Sequence, residues 1–465
     1  MPSLDLSRSR PLIGIVANEP SGDQLGALLV QALRERRPEL RFIGVAGPKM
    51  LAAGCETLLP MERLSVMGLV EVAKVLPDLL RARRDLVRGL QQLNPLLVIG
   101  VDAPDFNLGL ERRLRARGIP TVHLVSPTVW AWRPGRVKQI RRSVDLMLSI
   151  FPFEADFLRE HRVPVTYIGH PLADDFPLQP DREAACRALG ISLDSLVAVA
   201  TDPSLVVQAV DKHVGVSNAP SAEDSGVEGP TATAAAPKAI KPPASKPQAI
   251  KTQASKPCEE SGTALIAILP GSRRSEVELL GRPMLETAAW CHRRRPGLRF
   301  IAPMVSEALR QRFEAMRCEM APQLPLKVVN GQSREAMAAA DLVLTASGTA
   351  TLEALLSKRP MLVAYRLHPL TYWLVTRLRL IKVRYAAMAN LLVGRELAPE
   401  FLQGRCRADL MGPALLALLD DAERRAEIDA AYREIHRELR QNAAHRAAEA
   451  ILALIDRAGD HRRHA

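Results

Sequence analysis

The chain has 465 residues and a formal net charge of +12, with 47% hydrophobic, 25% charged and only 4% aromatic residues. This length leaves room for two or three domains, and the composition favours buried α/β layers over an aromatic-rich β-sandwich. The six cysteines form no C-x-x-C pair, which argues against a disulfide scaffold or a structural zinc and indicates a reducing compartment. The positive charge is compatible with nucleic acid, an anionic bilayer surface or a polyanionic small substrate.

The N-terminal segment lacks the long apolar region and the small-residue cleavage site of a secretory signal. No run of apolar residues reaches the about 18 that a membrane span requires. The most apolar segment, 361–375, is interrupted by Arg366 and His368. The sequence therefore predicts a cytoplasmic protein that does not cross the membrane.

Short apolar runs alternate with helical patterns over the first 190 residues, which is typical of βαβ units and a parallel sheet. A helix is predicted between the first two strands, ending at Pro38. Its sheet-facing residues are predicted to be Leu25, Leu28, Leu29, Ala32 and Leu33. The predicted strands of this half are 12–17, 42–47, 96–101, 121–125 and 145–151.

The composition changes from 202 to 261, where Pro, Ala, Ser and Lys dominate and aromatic residues are absent. This pattern predicts a disordered tether. The segments 240–249 and 250–259 form a degenerate ten-residue repeat whose prolines favour an extended chain. An inert insertion is the favoured interpretation, and a segment that binds a partner is the alternative.

A second alternating series predicts another Rossmann-like half, and the chain looks helical after about 405. The predicted fold class is therefore α/β, with two doubly wound domains facing across a cleft and C-terminal helices; ligands would bind at the carboxyl ends of the strands. The predicted strands are 264–269, 298–303, 326–330, 341–346 and 361–365. The predicted domains are 10–200, an insertion at 201–262, 263–395 and terminal helices at 396–465.

Two loops at strand ends in the first half are candidates for ligand binding. The segment 18–26 has small residues that would let backbone N–H groups approach an anion at a helix N-terminus, although ordinary N-capping by Ser21 or Asp23 is equally compatible. The segment 101–107 places acids where ligands bind to parallel sheets, and an acid held there can serve as a general base. A simple turn is the alternative.

The second half has two similar loops. Gly271 and Ser272 expose backbone donors after the strand 264–269, and Arg273 offers a bidentate guanidinium for a diphosphate, so that a metal ion would be unnecessary. After the strand 341–346, the loop 347–353 begins a helix whose dipole would also face an anion.

Two segments have the composition of a lipid-surface contact. The segment 370–385 mixes aromatic and aliphatic residues with Arg377, Arg379 and Lys382, and the segment 66–80 is rich in apolar residues. For both, a helix with one face in the core is the alternative.

A long series of motifs in fixed order resembles the lipid-A-disaccharide synthase family, over essentially the whole chain apart from the tether. The family's first loop usually begins Gly-Glu, whereas Asn18-Glu19 stands here. The motifs are NEPSGDQLGA, GVAGPKM, VMGLVEV, DAPDFN, SPTVWAWRPGRV, IGHP, LPGSRRSEVELL, ASGTATLEALL and ANLLVGREL.

The resemblance implies an inverting glycosyltransferase of the GT-B type at the inner face of the cytoplasmic membrane. It would transfer 2,3-diacylglucosamine from its UDP donor to the 6-hydroxyl of 2,3-diacylglucosamine 1-phosphate, releasing UDP. No metal, other cofactor or nucleic acid is expected, a homo-oligomer is left open, and an anionic membrane surface is an expected partner. A soluble UDP-sugar epimerase and a non-enzymatic membrane or nucleic-acid binder are the alternatives.

The residue patterns and the resemblance together predict three groups of site residues. The expected base is Asp102, with Asp105 and Glu19 as further candidates. The expected UDP-sugar-binding residues are Gly271, Ser272, Arg273, Ser347, Gly348, Thr349, Glu353, Asn390 and Glu396. The expected acceptor-binding residues are Ser21, Gly22, Asp23, Trp130 and His170.

Overall fold

The computed structural model describes residues 11–64, 69–129, 134–192, 263–367, 372, 377 and 385–463. The chain divides into a first unit, Met1–Phe176 with His436–Ala465, and a second unit, Pro177–Ile435. The tether predicted at 202–261 lies outside the described residues.

The first unit is built on a seven-stranded parallel sheet with the order β3-β2-β1-β4-β5-β6-β7. The chain begins at β1, builds outward to β3 and then returns to place β4 on the other side of β1. The strands are β1 (Leu12–Ala17), β2 (Arg41–Ala46), β3 (Cys55–Pro60), β4 (Leu97–Val101), β5 (Thr121–Leu124), β6 (Leu146–Ser149) and β7 (Val165–Tyr167).

Helices of the first unit connect these strands, as parallel pairing requires. They are α1 (Pro20–Arg36), α2 (Pro48–Ala52), α3 (Leu69–Leu93), α4 (Pro104–Arg115), α5 (Val137–Ser143), α6 (Pro152–Glu160) and α7 (Pro171–Asp175). Apolar side chains of β1, β2 and α1 are almost fully buried in one continuous core. Leu28 was predicted to face that core but is 40% exposed.

The second unit has a six-stranded parallel sheet with the order β10-β9-β8-β11-β12-β13. The chain again starts in the middle and changes direction between two central strands, here β8 and β11. The strands are β8 (Leu265–Leu269), β9 (Arg299–Met304), β10 (Leu326–Asn330), β11 (Leu342–Ala346), β12 (Met361–Tyr365) and β13 (Glu400–Leu402).

The remaining helices follow the end of the first sheet and the strands of the second. They are α8 (Arg182–Ala188), α9 (Arg274–Arg294), α10 (Glu307–Met320), α11 (Ser333–Ala339), α12 (Thr349–Leu356), α13 (Met388–Val393), α14 (Ala408–Asp420), α15 (Ala422–Leu439) and α16 (Ala443–Arg463).

The predicted α/β class and the ten listed strands agree with the structure to within two residues at each end. The strands β3, β7 and β13 were not predicted. All three lie at sheet edges, where one side of the strand is unpaired and burial is partial, so the continuous apolar run of a central strand is absent.

The structure divides the chain differently from the predicted boundaries. The helix α8, predicted to end the N-terminal domain, lies in the second unit, where Arg182 pairs with Asp341 at 2.8 Å. The last helix, α16, returns to the first unit and packs Ala447 and Ile451 into the core beside α1. Both differences arise from contacts between residues far apart in sequence.

Candidate active site

The end of β4 carries Asp102 in an unusual backbone conformation. Asp102 and Ala103 both have positive φ, 51° and 42°, a region that residues other than glycine rarely occupy. The Asp102 N–H donates to the Leu124 carbonyl at 2.8 Å. The side chain is half-buried and accepts no hydrogen bond from the described residues. A strained and unengaged carboxylate at a strand end is typical of a functional position.

A buried polar cluster lies directly behind Asp102, on the face of α4 that packs against the sheet. Asn107 and Glu111 are fully buried on this helix, and His123 is fully buried on β5. His123 Nδ1 lies 2.7 Å from Glu111 Oε1. Burial raises the pKa of Glu111, and the neighbouring His123 opposes that shift. Gly100 makes room for the cluster, because a Cβ there would lie 2.1 Å from Glu111 Oε1.

The loop after β1 lies beside Asp102, because Ala17 pairs with Val101 in the sheet. Glu19 and Ser21 are exposed, and Gly22 is buried. This neighbouring pair of loops is where the strand order reverses, the usual ligand position in an open parallel sheet. The structure thus brings together the two loops that the sequence analysis selected.

Asp23 is buried and already has hydrogen-bond partners. Its carboxylate accepts from the backbone N–H groups of Gly47, Lys49 and Met50 at 2.9–3.0 Å. These donors belong to the start of α2, so Asp23 caps that helix and anchors the loop before it. The predicted alternative was a cap at the start of α1, but Asp23 caps α2 instead, and its contact with the acceptor stays a prediction.

The remaining predicted residues of the first unit differ in their surroundings. Asp105 is exposed and forms an ion pair with Arg136 at 2.5 Å. His170 is 9% exposed, and its Nδ1 accepts the Leu172 N–H at 3.2 Å as the N-cap of α7. Burial lowers the pKa of His170 to about 4. Trp130 lies outside the described residues.

In the second unit, the loops after β8 and β11 are neighbours, because Leu269 pairs with Thr345. This is the point where the strand order of the second sheet reverses. The predicted diphosphate loop and the predicted second helix start therefore lie side by side at the carboxyl edge.

The diphosphate loop is folded around a carboxylate of its own chain. The backbone N–H groups of Ser272 and Arg273 donate to Glu276 Oε2 at 2.9 and 3.2 Å, in the capping box of α9. Gly271 has φ 124°, and a Cβ there would lie 2.5 Å from Glu276. Free backbone donors were predicted here, but Glu276 engages those of Ser272 and Arg273.

The Arg273 side chain is 80% exposed, and its nearest guanidinium nitrogen lies 3.6 Å from Glu276. It can therefore turn toward a ligand at little cost. Tyr365, at the end of β12, lies near both charges: burial raises its pKa, Glu276 adds to the rise and Arg273 opposes it. Glu276 and Tyr365 were not predicted as site residues from the sequence.

The second helix start combines an open N-terminus with a half-buried acid. Gly348 and Thr349 are exposed, and Gly348 has φ 134°, which favours glycine. Ser347 Oγ donates to the Ala386 carbonyl at 3.0 Å. One turn into α12, Glu353 is half-buried and accepts no side-chain hydrogen bond from the described residues. Burial raises its pKa, and Arg334 opposes the rise.

Asn390 is fully buried, and its amide is engaged within the fold. Its Oδ1 accepts from the N–H groups of Leu397 and Ala398, and its Nδ2 donates to the Ala398 carbonyl and to Glu400. This geometry favours a role in shaping the loop over direct contact with UDP. Glu396 is exposed.

Within the described part of the chain, no three His, Cys, Asp or Glu side chains lie together as a metal site would require. Among the helices that the structure describes, none combines the length and the apolar character needed to cross a bilayer.

A family model described as lipid-A-disaccharide synthetase matches residues 13–202 and 243–455. The chain belongs to the lipid-A-disaccharide synthase family. A family member from Pseudomonas paraeruginosa is 45% identical over 445 residues, which cover 96% of this chain and 98% of that protein. The resemblance found in the motifs is thereby confirmed, and with it the activity: a glycosyltransferase of lipid A biosynthesis.

Solved structures of low sequence identity share the fold of this lipid-A-disaccharide synthase family member. The glycotransferase of kitacinnamycin has a TM-score of 0.54 at 17% identity, covering 97% of this chain and 99% of its own. The UDP-GlcNAc 2-epimerase from Neisseria meningitidis has a TM-score of 0.53 at 9% identity, covering 95% of this chain and 100% of its own. At these identities the likeness concerns the fold, and it agrees with the predicted GT-B type.

Proposed function

We propose that the first unit supplies the general base and binds the acceptor, and that the second unit binds the UDP part of the donor. The reaction joins the anomeric carbon of UDP-2,3-diacylglucosamine to the 6-hydroxyl of 2,3-diacylglucosamine 1-phosphate, with inversion. The hydroxyl loses a proton as the C–O bond forms, and UDP leaves with the electron pair of the broken bond.

Asp102 is the proposed base because its surroundings differ from those of the other two acids. Asp105 is exposed and paired with Arg136, and Glu19 lies on the exposed start of α1. Asp102 is half-buried at the strand-order reversal and is held in a strained backbone conformation. A positioned base typically contributes a factor of about 10²–10⁴ to turnover.

The charge that develops on the leaving UDP is met by Arg273 and by the N-terminus of α12 in this proposal. Because Glu276 engages two loop N–H groups, the guanidinium and the residues 347–349 are assigned the larger share of the diphosphate contact. Such fixed dipoles and charges stabilise a transition state without needing to reorganise. Glu353 would accept hydrogen bonds from the ribose hydroxyls. The exposed Glu396 would line the same part of the UDP pocket.

The substrates carry acyl chains, so we propose that the protein works at the anionic inner face of the cytoplasmic membrane. The segment 370–385 is the candidate contact. Most of it lies outside the described residues, but Tyr372 is 42% exposed. Sedimentation with vesicles containing phosphatidylglycerol tests this: replacing Arg377, Arg379 and Lys382 by Gln should reduce binding in a salt-sensitive manner, and unchanged binding would exclude the segment.

The base assignment is tested by Asp102→Ala, with UDP release and disaccharide formation measured on both diacylglucosamine substrates. We expect a loss of kcat of about 10²-fold or more with UDP binding retained. Asp156→Ala is the matched control, because it removes a surface carboxylate of the same unit that pairs with Arg159. Near-normal turnover in Asp102→Ala would exclude Asp102 as the base. A larger loss of kcat in Asp105→Ala than in Asp102→Ala would assign the base to Asp105.

The diphosphate contact is tested by Arg273→Ala against Arg274→Ala. The two side chains carry the same charge and are 80% and 81% exposed, but Arg274 pairs with Glu278 along α9. Calorimetry should show UDP binding weakened about tenfold or more in Arg273→Ala, since charged hydrogen bonds contribute about 1.5–3 kcal/mol. Equal affinities in the two variants would remove Arg273 from the phosphate site.

A further inference from the structure

Asn107 connects the two strand ends at the position where the first sheet reverses its order. Its Nδ2 lies 2.8 Å from the Asp102 carbonyl, 3.2 Å from the Val101 carbonyl and 3.4 Å from the Val16 carbonyl. Val16 belongs to β1 and Val101 to β4, so one amide group links both strands and the residue that follows β4. Asn107 is fully buried.

The Asp102 backbone is held from both sides by these contacts. Its N–H donates to Leu124 of β5, and its carbonyl accepts from Asn107. Asp102, which makes both of these bonds, and Ala103, which follows it, are two consecutive left-handed residues. Left-handed conformations cost about 1–2 kcal/mol for residues other than glycine, so they persist only where surrounding contacts select them.

The direction of the Asp102 side chain depends on this backbone conformation. If Asp102 relaxed to an ordinary extended φ, its Cα–Cβ bond would point away from its present direction. A shift of about 1 Å in a reacting group can cost about 10²-fold in rate. The hydrogen bond from Asn107 to the Asp102 carbonyl therefore affects where the Asp102 carboxylate lies. Asn107 does this from a fully buried position.

We propose that Asn107 is a positioning residue for the glycosyl transfer: it selects the left-handed conformation at Asp102 and thereby aims the catalytic carboxylate. This inference rests on the proposed function, in which Asp102 is the base. Glu111 supports the arrangement, because its carboxylate lies beside Asn107 in the space that Gly100 leaves open, and His123 Nδ1 lies 2.7 Å from that carboxylate.

The test is a double-mutant cycle with Asn107→Ala and Asp102→Ala, assayed below the Tm of every variant and normalised to the folded fraction. If Asn107 acts through Asp102, Asn107→Ala should lower kcat about 10–100-fold in the wild-type background. In the Asp102→Ala background, Asn107→Ala should change kcat by less than about twofold, because the carboxylate that Asn107 positions is already absent. KM for both substrates should stay within about threefold in the single variant, since neither ligand contacts Asn107 in this proposal.

Thr121→Val is the matched control for loss of a buried hydrogen bond in the same sheet. The Thr121 hydroxyl is fully buried and donates to the Ser143 carbonyl at 2.8 Å, on β5 and away from Asp102. We expect a lowered Tm with kcat within about twofold of wild type, because no strained residue depends on this bond.

Ala103→Val perturbs the same backbone with Asn107 in place, and it keeps the test decisive if Asn107→Ala fails to fold. Ala103 is only half-buried, and a β-branched residue strongly resists positive φ. A fall in kcat with little change in KM supports the proposal; wild-type kcat would overturn it.

The outcomes separate this inference from the proposed function. Wild-type kcat in Asp102→Ala overturns the base assignment and the positioning role together. If Asp102→Ala lowers kcat, and Asn107→Ala lowers kcat by the same factor in the wild-type and Asp102→Ala backgrounds, only the positioning role is overturned. An unchanged kcat in a folded Asn107→Ala variant also overturns only the positioning role.

Discussion

Single buried side chains set the local chemistry and stability of the first unit. His170 is the clearest case, because its ring lies 5.0 Å from the ring of Phe151 and its Nδ1 accepts a backbone N–H as the cap of α7. Protonation of Nδ1 would remove the acceptor and bury a charge. Burial accordingly lowers the pKa of His170 to about 4 from an ordinary 6.5. The role seen is structural, while contact with the acceptor stays a prediction.

This lowered pKa predicts a pH-dependent stability. The unfolded chain protonates His170 at higher pH than the folded chain, so the contribution is fully present above about pH 6.5 and is lost as the pH falls toward 4. Between pH 7 and 5 we expect a loss of about 2 kcal/mol in the free energy of unfolding from this group. Urea unfolding of His170→Asn, which keeps a capping acceptor, should show a smaller loss. His161 is exposed, so His161→Asn should lose as much stability between pH 7 and 5 as wild type. If the free energy of unfolding fell equally with pH in all three proteins, His170 would not be the responsible group.

Carboxylates repeatedly cap helix starts in this protein, either from elsewhere in the fold or from the first turn of the helix itself. Asp23 caps α2, Glu276 caps α9 from within its own first turn, and Asp174 accepts the N–H groups of Asn442 and Ala443 at 2.8 and 2.6 Å before α16. The last contact joins α7 to the final helix across more than 260 residues. Such caps anchor an element as well as complete its hydrogen bonds.

The cap on α16 predicts a measurable stability effect. Asp174→Ala should lower the free energy of unfolding by about 1–2 kcal/mol, because two backbone donors lose their acceptor. Asp174→Asn should lose less, since its side-chain oxygen can still accept. Thermal and urea unfolding provide the measurement, with Asp156→Ala, which breaks an exposed pair, expected within about 0.5 kcal/mol of wild type. Equal stabilities of the two Ala variants would contradict this role of Asp174.

The first unit is assembled from two separate parts of the chain. Its sheet comes from the N-terminal residues, and its core is completed by α16 near the C-terminus. Arg37, directly after α1, forms an ion pair with Asp456 of α16 at 2.6 Å. The predicted tether, in contrast, lies outside every motif of the family, between α8 and β8 of the second unit.

Removal of the predicted tether therefore tests whether it serves the reaction. Deleting 202–261 leaves about ten residues between the described segments ending at Ser192 and beginning at Thr263. We expect kcat and the Tm to stay within experimental variation of the full chain, because the segment has the composition of a disordered tether and contains none of the quoted family motifs. A folded but inactive deletion variant would contradict the prediction and indicate that the segment has a function.

Much of this protein follows from its sequence. Central strands of parallel sheets are buried on both faces, so they appear as continuous apolar runs, and β1, β4, β8 and β11 were located in this way. The loops after these strands were selected because strand ends bind ligands, and the order of the motifs identified the family.

Other features depend on contacts that no local pattern contains. Asn107 touches Val16, which is 91 residues away, and Asp174 caps a helix that begins 269 residues later. The same holds for three further features. They are the two loop N–H groups that donate to Glu276, the left-handed backbone of Asp102 and the packing of α16 in the first unit. Apolar periodicity reports which face of an element is buried, but it does not report the partner. Hydrogen-bond partners and strained dihedral angles are selected only when the elements pack, and for that reason the tertiary structure alone revealed them.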